Sequence, residues 1–418
     1  MTDRLAVAKI PCKGGLYTNE DFLTLSDTAP GSATKLVNFE VSPYGGYRRI
    51  SGYKYLDASH TSPTGTGAVL GLFIYNDAVY AARKKSSGTD YDVLKYGSGS
   101  GWSSTSLTAG QSATDVLRVR GLTHSFTGNK SLILTDGINF PMRLVDTTWT
   151  KLNGSSDVDN ASFAETYKNR LFFAGMSQKP QLLVFTAPNS DSDFSAAGGA
   201  GSINVGFDIM ALKRFRDAVY IFGKTNIRKL TGDSINSFVI QEVSNSVGCV
   251  ASDSVVEIGG DVLFLAPDGI RTIQGTERIG DIELATISKN IQQTLQLIDV
   301  DFNFNQLVAT VVREKSQFRY FFGKSTLTAK NTGGFLGGLR TSDQRMGWEF
   351  SELRGFQANC VTSGYIGDDE FVLHGDHSGF VYRQEQGGTF QDDNVYATFQ
   401  SPFLDFGNTE QRKIFSQV

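Results

Sequence analysis

The chain is poor in the residues that catalysis and cross-linking usually need. Among its 418 residues are three cysteines (Cys12, Cys249, Cys360), four histidines, three tryptophans, five methionines and nine prolines. Three scattered cysteines cannot make a disulfide framework or a zinc site, which points to a reducing compartment or to assembly inside a cell. An excess of either charge is also missing: 39 basic and 43 acidic side chains leave a formal net charge of −4. A protein held on nucleic acid by phosphate neutralisation usually carries a basic surplus, so a dedicated nucleic-acid binder is disfavoured. No apolar run approaches the roughly 18 residues of a membrane span. The opening MTDRLAVAKIPCKGG lacks the apolar stretch of a secretory signal. The expectation is a soluble, unprocessed chain with no membrane insertion.

Glycine and the aromatics are plentiful. Forty-five glycines without a Gly-X-Y period exclude collagen and imply many tight turns. Thirty Phe and fifteen Tyr beside five Met favour strands over helices. With 40% hydrophobic and 20% charged residues the chain is not disordered. It is long enough to bury a core without staples.

A repeat organises those strands. Asp-Ala-Val-Tyr occurs at 77–80 and again at 217–220, and similar short apolar runs appear as KSLILTDG, NRLFFAGM, DVLFLAPDG, FRYFFGK and EFVLHGD. The seven runs lie roughly 40–58 residues apart, in the range of propeller blades. Each is four to six residues of β-branched or aromatic type ending at Gly or a charged turn, as a strand buried on both faces reads. Before each comes another strand-like segment, among them AVLGLFIYN, SFAETYKN and NCVTSGYIGD. After most comes a third, such as YDVLKYG or QLLVFTA, and in several a fourth that holds Trp102, Trp149 or Trp348. Four meandering strands per module predict an all-β fold, a β-propeller of about six or seven four-stranded blades with an extended N-terminal segment. The boundaries expected are 1–65 for the lead-in and closure segment, 66–400 for the propeller, and 401–418 for a closing strand or the start of a further segment. A set of unrelated hairpins in two sandwiches would not keep the four-strand order.

Residues 326–345 (TLTAKNTGGFLGGLRTSDQR) read as an insertion on a surface loop. ISKNIQQTLQLID at 287–299 is the best helix, with Ile287, Ile291, Leu295 and Ile298 on one face and Ser288 as its cap. A ring of sheets must not leave open edges, so residues 5–17 or 395–418 are expected to complete a blade begun elsewhere.

The chemistry-bearing patterns are weak. His374 and His377 flank Asp376, but an Asp-x-x-Gly turn accounts for those letters without a metal: Asp376 accepts from backbone amides and Gly379 takes the left-handed position. The carboxylates at Asp368, Asp369 and Glu370 and at Asp392 and Asp393 sit in polar turns. No nucleophile elbow, Walker loop, zincin motif or dinucleotide fingerprint is present. No catalytic, cofactor or metal residue is therefore assigned. Lys213, Arg214, Arg216, Lys224, Arg228 and Lys229 face only Asp217 over 17 positions. They read as a solvated blade face or as a contact for phosphates or an acidic partner.

Two segments carry a family likeness. GGLYTNEDF opens a lead-in that continues through Asn38-Phe39, Gly45-Gly46, Arg48-Arg49 and Gly52. Near the other end FVLHGDHSGFVYRQEQGGTF is followed by SPFLDFGNTEQRKIFSQV. Both resemble the tail nozzle or hub proteins of short-tailed bacteriophages, also called tail tubular protein B or packaged-DNA stabilisation proteins. The resemblance implies a non-enzymatic virion subunit, assembled in the host cytoplasm into a tail ring that is usually sixfold. That ring would retain packaged DNA and form its exit channel at ejection. Implied partners are further copies of itself, tail adaptor or portal-side proteins, tail fibres or spikes, and genomic DNA touched transiently in the lumen. In that setting Gly45, Gly46, Arg48 and Arg49 have turn and packing roles, and the loop at 325–345 meets neighbours or fibres. Two other readings compete. One is a carbohydrate-binding or glycan-hydrolysing propeller, with Tyr44, Tyr47, Trp102, Trp149 and Trp348 stacking on sugars. The other is a general propeller scaffold of cellular origin.

Overall fold

The computed structural model describes residues 12–21, 24–25, 28–107, 110–278, 286–295, 304–323, 331–342 and 345–403. They form a seven-bladed β-propeller. The first four blades are four-stranded antiparallel meanders whose innermost strands are Thr66–Tyr75, Arg120–His124, Phe163–Tyr167 and Ala211–Phe215. The fifth has three strands, Val256–Ile258, Asp261–Ala266 and Gly269–Thr272, and continues into a short helix at Ile273–Arg278 where its siblings have an outer strand. The sixth runs from Val308–Val312 outward to Arg345–Arg354, and the seventh begins with Cys360–Ile366. Among the described residues no helix is long and apolar enough to cross a membrane.

Blade packing explains the apolar runs. Seven apolar clusters fill the gaps between neighbouring blades, one cluster to each gap. Successive side chains of a strand point to opposite faces, so a blade sandwiched between two others must be apolar on both. In the second strand of the second blade, Leu132 and Leu134 enter the cluster shared with the first blade, while Ile133 enters the one shared with the third. That strand is buried at every position. The three tryptophans sit in outer strands, as the repeat order predicts, and each packs against a different inter-blade cluster.

Closure comes from the N-terminal segment. The seventh blade supplies only three strands of its own, and Tyr53–Tyr55 adds the fourth by pairing antiparallel with Val381–Gln384. Lys35–Val37 runs beside the outer strand of the sixth blade and is covered in turn by Thr398–Gln400. The hairpin Phe39–Val41 and Tyr47–Arg49 lies between, with its tight turn made by Gly45 and Gly46 at φ of 92° and 71°. Among the described residues the strand that completes the seventh blade is therefore Tyr53–Tyr55. Of the expected segments, 12–17 bridge Leu16 to Ala33 and reach the sixth blade through the Leu16 amide, which donates to Phe350 O at 2.9 Å, and 398–400 extend the sixth blade, as a segment completing a blade begun elsewhere would; residues 5–11 and 404–418 lie outside the described residues.

A buried ionic cluster locks this belt down. Glu40, from the hairpin, meets Lys315 at 2.8 Å and accepts from Gln317 at 3.0 Å. Arg319, with no exposed side-chain surface, pairs with Glu385, as does Lys315. Burial opposes ionisation of Glu385, but the charges of Arg319 and Lys315 outweigh it and lower its carboxyl to about 2.

Two other expectations change. Residues 331–342 are not a loop but the long third strand of the sixth blade, paired with 345–354 over ten registers. Its glycines let neighbours press in: a Cβ on Gly337 would overlap the Phe318 ring. Glycine-rich composition imitates a loop here because close packing also demands glycine. Residues 326–330 and 343–344 of that insertion lie outside the described residues. The expected helix at 287–299 begins as a 3-10 turn, Lys289–Ile291, and is helical at 292–295; its remainder also lies outside the described residues. Ser288 does not cap it but accepts from the Ile270 amide at 2.9 Å.

Two tests follow from the belt. A Cβ on Gly52 would collide with the Thr389 backbone, whereas one on Gly347 would meet nothing within 4 Å. Gly52→Ala is expected to cost about 1–3 kcal/mol and Gly347→Ala to stay within about 0.5 kcal/mol, as read from urea unfolding. Because Glu385 has a depressed folded-state value, its stabilisation is complete above the unfolded value of about 4.3 and is lost as pH falls toward about 2. Glu385→Gln should lower the urea midpoint at neutral pH and flatten its acid dependence across that window.

Candidate functional site

Residues at the entrances of the second, fifth, sixth and seventh blades meet at one end of the central axis. Arg118 precedes the second blade's inner strand and is almost completely buried. Its guanidinium pairs with Asp253, which sits in the 3-10 turn Ser252–Ser254 ahead of the fifth blade. It also donates to the carbonyls of Gln306 and Asn359 at 3.2 Å each and of Leu307 at 3.3 Å, at the entrances to the sixth and seventh blades. Arg120 binds the same carboxylate in a two-pronged grip, Nε to Oδ1 and Nη2 to Oδ2, both at 2.7 Å. Asn359 donates to Val69 O at 2.7 Å and so joins the seventh blade to the first.

This cluster closes one end of the axis. Burial works against ionisation of Asp253, but the charges of Arg120 and Arg118 and their hydrogen bonds prevail, holding the carboxyl far below its ordinary range. Above the plug lies a cavity of about 320 Å³, walled by Gly121, Ala164, Ala211, Val308 and Val361, with Glu165 and Lys213 projecting from the walls. It opens into a second space of about 640 Å³ lined by Lys213, Glu257, Thr310, Arg313, Thr362 and Ser363. The two share Gly121, Lys213, Val255, Ala309, Val361 and Thr362, so they form one funnel. The mouth is bridged in part by Arg313, which donates to Ser363 Oγ at 2.9 Å and lies 3.6 Å from Glu370.

The residues singled out from sequence fare differently. His374 is buried, stacked on Tyr382 at 4.9 Å and edge-on to Tyr53 at 4.8 Å. Burial, with a smaller push from the Arg319 charge, lowers its imidazole to about 3. Asp376 accepts from the Ser378 amide at 2.9 Å and the Phe380 amide at 2.7 Å, and Gly379 has φ of 93°. The turn reading of that motif is the geometry found. Among the described residues no group of three His, Cys, Asp or Glu side chains could hold a metal ion. Cys249 and Cys360 are buried and unpaired, and Cys12 is exposed. Of the turn carboxylates, Glu370 accepts from the Arg313 and Glu314 amides, and Asp393 lies in a two-residue strand pair.

The basic run does not form one patch. Lys213 faces the funnel, Arg228 donates to Val205 O and lies over the Phe207 ring, and Lys229 pairs with Glu277 at 3.0 Å. Arg216 stacks on Phe215 at 4.9 Å. Alternation along strands sends neighbours to opposite faces, so closeness in sequence becomes separation in space. The aromatics proposed for sugar stacking are scattered too. The Trp149 indole donates to Thr105 at 3.1 Å, Trp348 sits edge-on to Phe318 at 5.3 Å, and the Tyr47 hydroxyl accepts from Gly15. Tyr44 alone stands out in solvent, 96% exposed on the hairpin turn. Sequence reasoning missed the plug: Arg118 and Asp253 are 135 residues apart, in connections that the repeat leaves unmarked.

No family model matches the chain, and no curated protein matches it in sequence. Solved structures that are similar in fold include Hsv2 of Kluyveromyces lactis, at 8% identity and a TM-score of 0.36, covering 69% of this chain and 98% of that one. An ancestral GH74 enzyme aligns at 9% identity and 0.47, covering 86% of this chain and 54% of its own. The extracellular domain of a one-component system from B. thetaiotaomicron aligns at 9% and 0.46, covering 80% and 40%.

The plug predicts an asymmetric response to mutation. Asp253→Asn leaves two guanidinium groups without their counter-charge and should cost about 3–5 kcal/mol. Lys213, which makes no ion pair among the described residues, should tolerate Gln within about 0.5 kcal/mol. Chemical denaturation of both variants checks the contrast.

Proposed function

We propose that the chain is a structural subunit of the tail nozzle or hub ring of a short-tailed phage, retaining packaged DNA and forming its exit channel. The observation that carries this reading is where the residues of the family likeness lie. Asn38, Gly45, Gly46, Arg48 and Gly52 belong to the belt that closes the propeller. Asn38, at φ of 57°, donates from its amide to Arg354 O at 3.1 Å and Tyr396 O at 2.8 Å. It also accepts from the Arg354 amide at 2.9 Å. Arg48, itself partly exposed, meets the buried Glu40 at 2.7 Å. These motif residues therefore serve rigidity, as a load-carrying ring subunit requires.

The plug fits the same reading. An axis closed by three charged side chains is no passage for a duplex, so DNA would run through the lumen of a ring of propellers. The charge of −4 suits that lumen, since a surface past which DNA slides should not hold phosphates tightly. The dispersed tryptophans give the sugar-binding alternative no shared platform.

Light scattering of the purified protein and protein composition of isolated virion tails test the proposal. An assembly of about six copies of the 45.5 kDa chain, found in tails, is expected. A strict monomer absent from tails, or turnover of a glycan substrate, overturns it.

A further inference from the structure

The funnel has a charge imbalance that the fold does not resolve. Five charged side chains line its narrow part: Arg118, Arg120 and Lys213 are cationic, Glu165 and Asp253 anionic. One positive charge is in surplus, in a space whose walls also present Thr135, Ser252 and Thr362. Asp253 has no capacity to balance it, because both its oxygens are already engaged by the two arginines. Glu165 directs one oxygen to the Thr166 amide at 2.9 Å.

Donors are also left over. The Nε of Arg118, on a side chain only 6% exposed, has no hydrogen-bond partner among the described residues. Arg120 uses Nε and one proton of each terminal nitrogen, which leaves two protons unengaged. Among the described residues Lys213 Nζ forms no hydrogen bond or ion pair, and the Thr362 hydroxyl makes no hydrogen bond although Thr362 lines both halves of the funnel. A buried cation with unused N–H groups in a low-dielectric pocket is stabilised by an anion that accepts from several of them at once.

From this we infer that the funnel binds a small oxyanion, a carboxylate or phosphate group, seated above the Arg118–Asp253–Arg120 plug. Arg120 and Lys213 supply the charge, and the Thr362 hydroxyl completes the shell. The volume of about 320 Å³ suits the anionic head of a small metabolite, and the space of about 640 Å³ above it admits a polar remainder. Glu257 and Arg313 at the wider part would meet that remainder. The site lies on the propeller axis and is independent of whether the chain forms a ring.

Isothermal calorimetry and thermal unfolding at low ionic strength, with inorganic phosphate, acetate and a chloride control of equal ionic strength, test the inference. Binding and a rise in Tm with phosphate, acetate or both, beyond the chloride control, are expected; the stronger of the two identifies the head group. Lys213→Gln should weaken that binding about tenfold, the worth of one charge-assisted contact, while leaving the Tm of the unliganded protein unchanged. Thr362→Val should weaken it less. No effect beyond chloride, or equal affinity in Lys213→Gln and the wild type, overturns the inference.

Discussion

A seventh blade with three strands of its own leaves a closed ring of sheets one strand short, and the rest of the fold depends on how that gap is filled. Tyr53–Tyr55 fills it by pairing with Val381–Gln384. Chain that is distant in sequence becomes neighbouring structure, so the first and last parts of the propeller cannot separate without breaking a sheet. Closure also places the inner strands of the first and seventh blades against each other, which the cluster of Val69, Leu72, Leu373 and Val381 then seals. The ring converts a series of blades, each stable only against its neighbours, into a single body.

Around that closure the chain uses charge where apolar packing alone would leave choices. Glu40, Lys315, Arg319 and Glu385 come from the belt, the sixth blade and the turn after the seventh, and each ion is satisfied only when all three are in register. At the axis Arg118 does the same for the second, fifth, sixth and seventh blades. Buried ions are costly unless paired, so a misregistered belt or blade is penalised more heavily than a shifted leucine would be. The same economy makes the funnel polar at its floor and gives it a surplus cation to offer.

Much of the repeat was legible in the sequence. Runs such as SLILT and RLFFA are uniformly apolar because both of their faces are covered, and a local pattern reports local burial. The Asp376 turn was legible for the same reason, since an Asp and a Gly three residues apart suffice to form it. Three features were not. The fifth blade replaces its outer strand with a helix, the glycine-rich 331–342 is a strand, and the closing strand is 53–55. For the last two the deciding partner lies elsewhere in the chain: the Phe318 ring beside Gly337, and the open edge of the seventh blade beside Tyr53–Tyr55.

The sequence by itself determined that the protein is all-β, built of repeated four-strand modules, without a disulfide framework and nearly neutral. Those properties follow from composition and short-range periodicity, which burial imposes strand by strand. Only the tertiary structure decided the count of seven blades, the belt that closes them, and the arginine–aspartate plug that turns the axis into a funnel. The physical reason is distance along the chain. Closure and the plug join residues more than a hundred positions apart, and nothing in either partner's neighbourhood encodes the other until the ring brings them together.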